Sequence, residues 1–245
     1  FSGATLNFAE ALLKRRDSES AVIFRGENGR RYSLSYAELY QQTAKFAHYL
    51  KGQGVVAGDR IAGYMPNIPE TIVAMLATSS IGAIWTSCSP DFGANGVVDR
   101  FGQTEPKILV TVDGYHYGGK QLDNRDKLPE ILERIPSVQT VVVVPFLDLD
   151  VDLSNIPNAI NWNSATANDV TEVEFAQLPF DHPLYIMYSS GTTGVPKCIV
   201  HGAGGTLIQH LKEHVLHTNM SAADRMLYFT TCGGYFVDLT ASSAS

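Results

Sequence analysis

The chain of 245 residues carries 18 Lys and Arg against 25 Asp and Glu, a formal net charge of -7, and 44% of its residues are hydrophobic. This composition is typical of a globular protein with a sizeable core, and the negative charge argues against a general binder of nucleic acids or anionic membranes. No apolar run reaches the length of a membrane span and no signal-peptide pattern is present, so we expect a cytoplasmic protein without membrane partners.

Segments with helical and strand patterns alternate along the chain, which predicts an α/β fold. Asn7 with Glu10, and Ser35 with Glu38, have the spacing of helix-start capping residues. Asn28-Gly29 is a strong signal for a β-hairpin. The predicted helices cover residues 7–16, 35–52, 70–81 and 97–103, and the predicted strands cover residues 21–25, 32–34, 60–65, 83–87, 107–112, 140–144, 184–187 and 198–200.

The polar residues 148–171 are rich in Asp and Asn and predict a surface connection with little structure of its own. The alternation of elements crosses every candidate boundary, so no division into domains is predicted. The three cysteines lie in or beside apolar segments without a CxxC pair, which predicts reduced, buried thiols. They are Cys88, Cys198 and Cys232.

The most informative segment is residues 188–197, with the sequence YSSGTTGVPK, which we call the phosphate loop. Gly191 and Gly194 allow the backbone to approach a ligand and to turn its N–H groups toward an anion. Lys197 adds a mobile positive charge. Four hydroxyl-bearing residues supply further donors to phosphate oxygens: Ser189, Ser190, Thr192 and Thr193. Because apolar runs flank the segment, we predict a nucleotide-phosphate loop between two strands, with an ordinary polar turn as the alternative.

The loop is not a Walker A motif. That motif needs Gly before its Lys and Ser or Thr after it, followed by a helix. Here Pro196 precedes Lys197, Cys198 follows, and a strand-like run continues.

The phosphate loop resembles the signature of the adenylate-forming superfamily, which comprises acyl-CoA synthetases, luciferases and adenylation domains of peptide synthetases. Residues 1–10 resemble the entry segment of its acetyl-CoA synthetase branch. Three further segments resemble its acetoacetate–CoA ligase branch, namely residues 89–93, 201–205 and 210–217. The resemblance extends to about Gly233. It implies a layered αβαβα sandwich, of which residues 1–245 are a partial N-terminal adenylation domain, incomplete at the C-terminus and without the C-terminal lid domain.

This resemblance implies a ligase that activates a short carboxylic acid, with acetoacetate as the expected substrate. The carboxylate attacks the α-phosphorus of ATP, pyrophosphate leaves, and the CoA thiol then displaces AMP from the acyl-adenylate. Lys197 is the expected catalytic residue, holding the phosphates while Mg²⁺ neutralises the charge on pyrophosphate. The expected partners are a short keto acid, ATP and CoA. Another short-chain acyl-CoA synthetase and a non-catalytic nucleotide-binding module remain alternatives.

A second glycine turn, Gly118-Gly119 with Lys120, resembles the segment that acetyl-CoA synthetases place against the CoA nucleotide. Tyr117 stands where those relatives have Arg, so the phosphate contact is weaker or is supplied elsewhere. A plain Gly-Gly turn is the alternative.

The last part of the chain departs from the superfamily pattern. The relatives continue with a tryptophan-rich run, whereas this chain has residues 234–238 (GYFVD) and a tail of small residues. Either the acyl pocket differs or the tail is not in the native frame. The superfamily's Tyr-Gly-x-Thr-Glu segment, its ribose-binding Asp and its terminal catalytic Lys have no counterpart here. We therefore expect little or no turnover from this chain alone.

One further motif carries a rival hypothesis. His210, Glu213 and His214 match the His-x-x-Glu-His signature of a zinc peptidase. A structural histidine face on an amphipathic helix is the favoured interpretation, because apolar residues share the same stripe. His201 is likewise interpreted as a structural, hydrogen-bonded residue.

Overall fold

The computed structural model describes residues 1, 3–147, 150–189, 194–227 and 230. The strands in this part of the chain are β1 (Thr5–Leu6), β2 (Ser20–Arg25), β3 (Arg31–Ser35), β4 (Arg60–Tyr64), β5 (Ile84–Cys88), β6 (Ile108–Val112), β7 (Gly114–Tyr117), β8 (Lys120–Asp123), β9 (Thr140–Val144), β10 (Ala159–Asn161), β11 (Leu178–Pro179), β12 (Pro183–Ser189) and β13 (Lys197–Gly202). The helices are α1 (Phe8–Leu12), α2 (Tyr36–Gly52), α3 (Pro69–Ser80), α4 (Ala94–Thr104), α5 (Leu128–Arg134), α6 (Trp162–Ala165) and α7 (Ala203–Leu211), with a 3₁₀-helix at Arg125–Lys127 and a π-helix at Lys212–His217.

A seven-stranded sheet in the order β10-β9-β6-β4-β5-β12-β13 is the centre of the described structure. Every neighbouring pair is parallel except β12 and β13, which are antiparallel. The carboxyl ends of the parallel strands therefore meet at one edge, which is where open α/β sheets bind ligands. The α/β prediction is confirmed.

Helices cover both faces of this sheet. Residues of β5 and β6 are buried throughout, as expected for strands covered on two sides. On one face, α2 and α3 bury Phe46 and Leu76 against strand residues such as Ile61. On the other face, α4 and α5 bury Phe101 and Leu128. The two layers hold the loops at the carboxyl edge on a closely packed support.

The predicted helix starts and the hairpin are confirmed. Ser35 and Glu38 form a complete capping box at the start of α2. Asn7 caps α1 by accepting the Glu10 N–H, and its amide also donates to the carbonyl oxygens of Ser79, Ser80 and Ala176. The helix α1 ends at Leu12, four residues before the predicted end at Arg16. The guanidinium of Arg16 instead lies 3.9 Å from the Tyr40 ring centre.

The prediction for residues 148–171 was partly wrong. This segment contains β10, which extends the sheet beside β9, and the short helix α6. Trp162 in α6 is buried and stacks on Phe46, with the ring centres 4.4 Å apart. A three-residue strand and a one-turn helix are too short to show a periodic pattern, so only the tertiary contact with the core reveals them.

The hairpin of β7 and β8 and the helix α5 were not predicted from the sequence. The hairpin follows β6, and α5 packs beside α4. No helix in the described ranges combines the length and the apolar composition that crossing a bilayer requires.

Candidate active site

The phosphate loop connects β12 to β13 at the carboxyl end of β12, as predicted. Ser189 pairs with Lys197 across the two strands, so the stems of the loop are held side by side. Four of its predicted ligand residues, Ser190, Gly191, Thr192 and Thr193, lie outside the described residues. The structure therefore defines the two stems of the loop, residues 188–189 and 196–197.

The second stem presents a cation at the sheet edge. Gly194 has a φ of 97°, which a residue with a side chain rarely adopts. Lys197 is exposed and forms no salt bridge with any residue in the described ranges. Ser189, its half-buried partner on β12, shares its face of the sheet because the two residues are directly opposite. An ammonium and a hydroxyl thus lie together at the start and end of the loop.

A buried hydroxyl network supports the first stem. The Tyr188 side chain is buried, and its hydroxyl accepts a hydrogen bond from Thr86 Oγ1 at 2.7 Å. Thr104 Oγ1 at the end of α4 lies 3.5 Å from the same hydroxyl, and the Phe101 ring packs at 6.4 Å between centres. Burial is the main cause that raises the pKa of Tyr188, so the phenol stays neutral. The loop thus begins on a fixed strand end.

A second turn leaves the same sheet edge after β5. Ser89 Oγ donates to Asp91 at 2.8 Å, and the Tyr64 hydroxyl donates to the carbonyl oxygen of Pro90 at 3.0 Å. The guanidinium of Arg100 lies 4.0 Å from the Phe92 ring centre. Because β5 and β12 are parallel neighbours, this turn is adjacent to the phosphate loop. It is one of the segments singled out by the resemblance in the sequence.

Gly118 and Gly119 form the tip of the β7–β8 hairpin, with φ of 59° and 74°. The Gly119 N–H donates to the carboxylate of Glu27 at 3.0 Å. Lys120 is exposed beside it. The tip thus already holds an anionic oxygen, supplied by the neighbouring β2–β3 hairpin. A plain turn accounts for both glycines, and a contact with CoA stays a prediction.

Comparison with known proteins identifies the family. A sequence model described as "AMP-binding enzyme" matches residues 8–235. This chain belongs to the AMP-binding enzyme family. Acetoacetyl-CoA synthetase of Mus musculus is 46% identical over 257 residues, covering 100% of this chain and 38% of the relative. Acetoacetyl-coenzyme A synthetase of Rhizobium meliloti is 48% identical, covering 95% of this chain and 36% of the relative.

The match is partial in length and includes a relative with another name. Malonamoyl-CoA synthetase vrtB of Penicillium aethiopicum is 42% identical, covering 95% of this chain and 34% of that relative. Among solved structures, acetoacetyl-CoA synthetase from Streptomyces lividans superposes with a TM-score of 0.89 at 45% identity, covering 95% of this chain and 36% of the other. The chain thus spans little more than a third of the length of these relatives.

For this member of the AMP-binding enzyme family, the structure gives the zinc peptidase alternative no support. His210 lies in α7, whereas Glu213 and His214 lie in the π-helix that follows. The Glu213 carboxylate accepts from Gln209 at 2.8 Å and pairs with Lys212 at 3.1 Å. Across the described residues, no group of three His, Cys, Asp or Glu side chains is arranged to hold a metal ion.

The prediction of buried thiols is confirmed for Cys88 and wrong for Cys198. Burial raises the pKa of the Cys88 thiol, which keeps it protonated. Cys198 is exposed because β13 is the edge strand of the sheet. Cys232 lies outside the described residues.

One residue that contacts the phosphate loop was not predicted from the sequence of this AMP-binding enzyme. Gln103 in α4 donates through Nε2 to the carbonyl oxygen of Pro196 at 2.9 Å. The two residues are separated by more than ninety positions along the chain. A single exposed glutamine near a helix end matches no motif, so only the folded structure brings it to the loop.

Proposed function

We propose that this chain is the N-terminal part of an adenylation domain in an enzyme that converts acetoacetate, ATP and CoA into acetoacetyl-CoA. The observation that carries the proposal is the similarity to acetoacetyl-CoA synthetases, which ranges from 44% to 48% identity from vertebrates to a bacterium. Each of these matches covers 95% of the chain or more. The remainder of the domain and a C-terminal lid lie, on this proposal, in the rest of the gene product.

In the first step, a carboxylate oxygen of acetoacetate attacks the α-phosphorus of ATP. The bond from that phosphorus to the bridging oxygen breaks, and pyrophosphate leaves with the charge that develops on it. The ammonium of Lys197 and the hydroxyl of Ser189 are suited to hold the β- and γ-phosphate oxygens from the two stems of the phosphate loop. The four loop residues between the stems, Ser190, Gly191, Thr192 and Thr193, complete the proposed phosphate site, with Gly194 providing the bend.

Magnesium enters this reaction as part of the substrate, the Mg²⁺ complex of ATP. The described residues offer no cluster of carboxylates that would hold the ion by themselves. We expect the ion to be held mainly by phosphate oxygens and water, which is common for Mg²⁺ at nucleotide sites. The role of Lys197 is then to share the charge of the departing pyrophosphate with the ion.

In the second step, the CoA sulfur attacks the acyl carbonyl carbon and AMP leaves as the acid anhydride bond breaks. The turn at Gly118, Gly119 and Lys120 is the candidate contact for a CoA phosphate. The backbone N–H of Gly119 and the exposed ammonium of Lys120 suit an anion. In the described conformation this N–H donates to Glu27, so a CoA phosphate would have to displace that carboxylate.

A second substrate is supported by a specific observation. The 42% identical fungal relative is named for the malonamoyl group, which differs from acetoacetyl only by an amino group in place of the terminal methyl. The two acids share a carbonyl at position 3 and nearly the same volume. Discrimination between them therefore depends on whether the site offers a hydrogen-bond partner to the amino group.

The test uses the complete gene product that contains this chain. Acetoacetate-dependent exchange of labelled pyrophosphate into ATP measures the first step, and formation of acetoacetyl-CoA measures both steps. We expect acetoacetate to give the highest kcat/KM, above malonamate and acetate. A higher kcat/KM for malonamate would show that malonamate is the preferred substrate. Absence of exchange with all three acids would refute the proposed function.

A further inference from the structure

Gln103 uses both hydrogens of its amide group in contacts that join helix α4 to the phosphate loop. Its Nε2 donates to the carbonyl oxygen of Asp99, one turn earlier in the helix, at 2.6 Å. It also donates to the carbonyl oxygen of Pro196, in the second stem of the loop, at 2.9 Å. The contact with its own helix restrains the side chain, so the contact with the loop starts from a fixed donor.

A hydrogen bond to the Pro196 carbonyl oxygen affects the orientation of Lys197. This carbonyl and the N–H of Lys197 belong to the same planar peptide unit. A hydrogen bond to the oxygen therefore restrains the plane to which the Cα of Lys197 is attached. The Pro196 ring fixes its own φ, which removes one of the two rotations that would let the stem move.

The first stem of the loop is held by the next residue of the same helix. Thr104 lies within 3.5 Å of the Tyr188 hydroxyl, and Thr86 on β5 donates to that hydroxyl at 2.7 Å. Consecutive residues of α4 thus reach both stems. The helix also packs through Phe101 into the buried core. Both stems are therefore held in place by contacts with the same rigid helix.

We propose that Gln103 is a positioning residue that holds the second stem of the phosphate loop so that Lys197 faces the triphosphate. This inference rests on the proposed function of Lys197, and it assigns a new residue to that site. Gln103 does not touch the substrate in this role. Its contribution is to reduce the freedom of the Lys197 backbone before ATP binds.

The test compares two replacements of Gln103 in the complete gene product. Gln103→Met keeps the length of the side chain but removes the donor, and Gln103→Lys keeps a donor that reaches the same carbonyl. Since one hydrogen bond to an exposed loop is replaced, we expect Gln103→Met to lower kcat/KM for MgATP in pyrophosphate exchange by about five- to tenfold. We expect Gln103→Lys to recover most of that loss. Gly102→Ala, an exposed change on the same helix with room for the methyl group, is the matched control with unchanged kinetics.

A double-variant cycle separates positioning from a general structural role. If Gln103 acts through Lys197, then adding Gln103→Met to Lys197→Ala changes kcat/KM for MgATP in pyrophosphate exchange by less than about twofold. An effect in the double variant as large as in the single one would overturn the inference. Unchanged kcat/KM in Gln103→Met, with Lys197→Ala strongly impaired, would overturn it while leaving the proposed function intact.

A measurement without substrate keeps the inference testable if the proposed function fails. Hydrogen–deuterium exchange of a peptide spanning residues 194–200 is expected to be at least about threefold faster in Gln103→Met than in the parent protein. The same exchange rate in both would overturn the inference. Absence of pyrophosphate exchange in the parent enzyme would instead refute the proposed function, and the deuterium exchange of this peptide would still decide whether Gln103 holds the second stem.

Discussion

Two glycine turns followed by a lysine occur in this protein, and their surroundings differ sharply. The phosphate loop joins a strand of the central sheet to its antiparallel edge neighbour. The turn at Gly118-Gly119 joins two strands of an isolated hairpin beyond the end of β6. Local composition is similar in both, since each combines flexible backbone with a nearby ammonium.

The difference lies in what each turn is attached to. Both stems of the phosphate loop contact helix α4, through Gln103 and Thr104, and Lys197 forms no salt bridge within the described ranges. The tip of the β7–β8 hairpin instead contacts Glu27, an acidic side chain. An anchored loop with an available cation favours an anionic ligand, whereas an N–H already bound to a carboxylate has to exchange one anion for another. Attachment and charge, more than glycine content, distinguish the two.

The largest expected effect separates the two lysines. Lys197→Ala is expected to reduce pyrophosphate exchange by about 100-fold or more. On the proposed function, the change removes the positive charge that stabilises the departing pyrophosphate. Lys120→Ala is expected to raise only the KM for CoA, by about two- to threefold, because a single exposed charge contact is lost. Both are measured with the complete gene product, with the surface variant Lys51→Ala as control. Equal losses of exchange in Lys197→Ala and Lys120→Ala would mean that the two turns do not differ in the way described.

The packing of the β7–β8 hairpin, between its own strands and against Leu147, is tested at Gly114. A Cβ at this buried position would overlap the carbonyl oxygen of Leu122 and the side chain of Leu147. Because a backbone oxygen cannot move aside easily, Gly114→Ala is expected to lower the free energy of unfolding by about 3 kcal/mol.

The matched control for that change is Gly102→Ala in helix α4. Its nearest neighbour to an added Cβ is Val98 at 4.0 Å, so there is room for the methyl group. We expect a gain of about 0.5 to 1 kcal/mol, because alanine favours a helix over glycine. Urea denaturation measures both variants. A neutral Gly114→Ala would show that Gly114 is not packed as closely against Leu122 and Leu147 as described.

The backbone of the two turns gives a smaller, purely conformational comparison. Gly194 has a φ of 97°, and no atom of the residues that the structure describes lies within 4 Å of an added Cβ, so Gly194→Ala tests strain without a clash among them. We expect a loss of about 1 to 2 kcal/mol, seen in denaturation and as weaker MgATP binding. Gly118 has a φ of 59°, which asparagine tolerates, so Gly118→Asn is expected to cost less than about 0.5 kcal/mol. The reverse order of the two costs would contradict the described backbone.

The smallest expected effect concerns Glu27. If a CoA phosphate oxygen binds the Gly119 N–H, it has to displace the Glu27 carboxylate. Glu27→Gln removes the competing charge while keeping the size, and we expect the KM for CoA to fall by about two- to threefold. The KM for MgATP serves as the internal control and is expected to be unchanged. A higher KM for CoA in Glu27→Gln would show that the hairpin tip does not bind a CoA phosphate.

Much of the fold could be predicted from the sequence, because the patterns that indicate its helices, strands and turns are local. The capping box of Ser35 and Glu38 and the turn at Asn28-Gly29 act within a few residues, and both were confirmed. The buried strands of the central sheet contain continuous apolar runs, which can be recognised in the sequence without knowledge of their tertiary contacts. The segment with β10 and α6 could not be recognised, since its short elements are stabilised by contact with α2 and β9 rather than by their own pattern.

The sequence by itself determined the α/β class, the position of the phosphate loop between two strands, and the resemblance that the family match then confirmed. Those features depend on residue types at short spacing. The tertiary structure alone decided that Gln103 contacts Pro196, that Glu27 occupies the Gly119 N–H, and that Cys198 is exposed. Each of these depends on which distant elements become neighbours, and packing of the two helical layers on the sheet determines that arrangement.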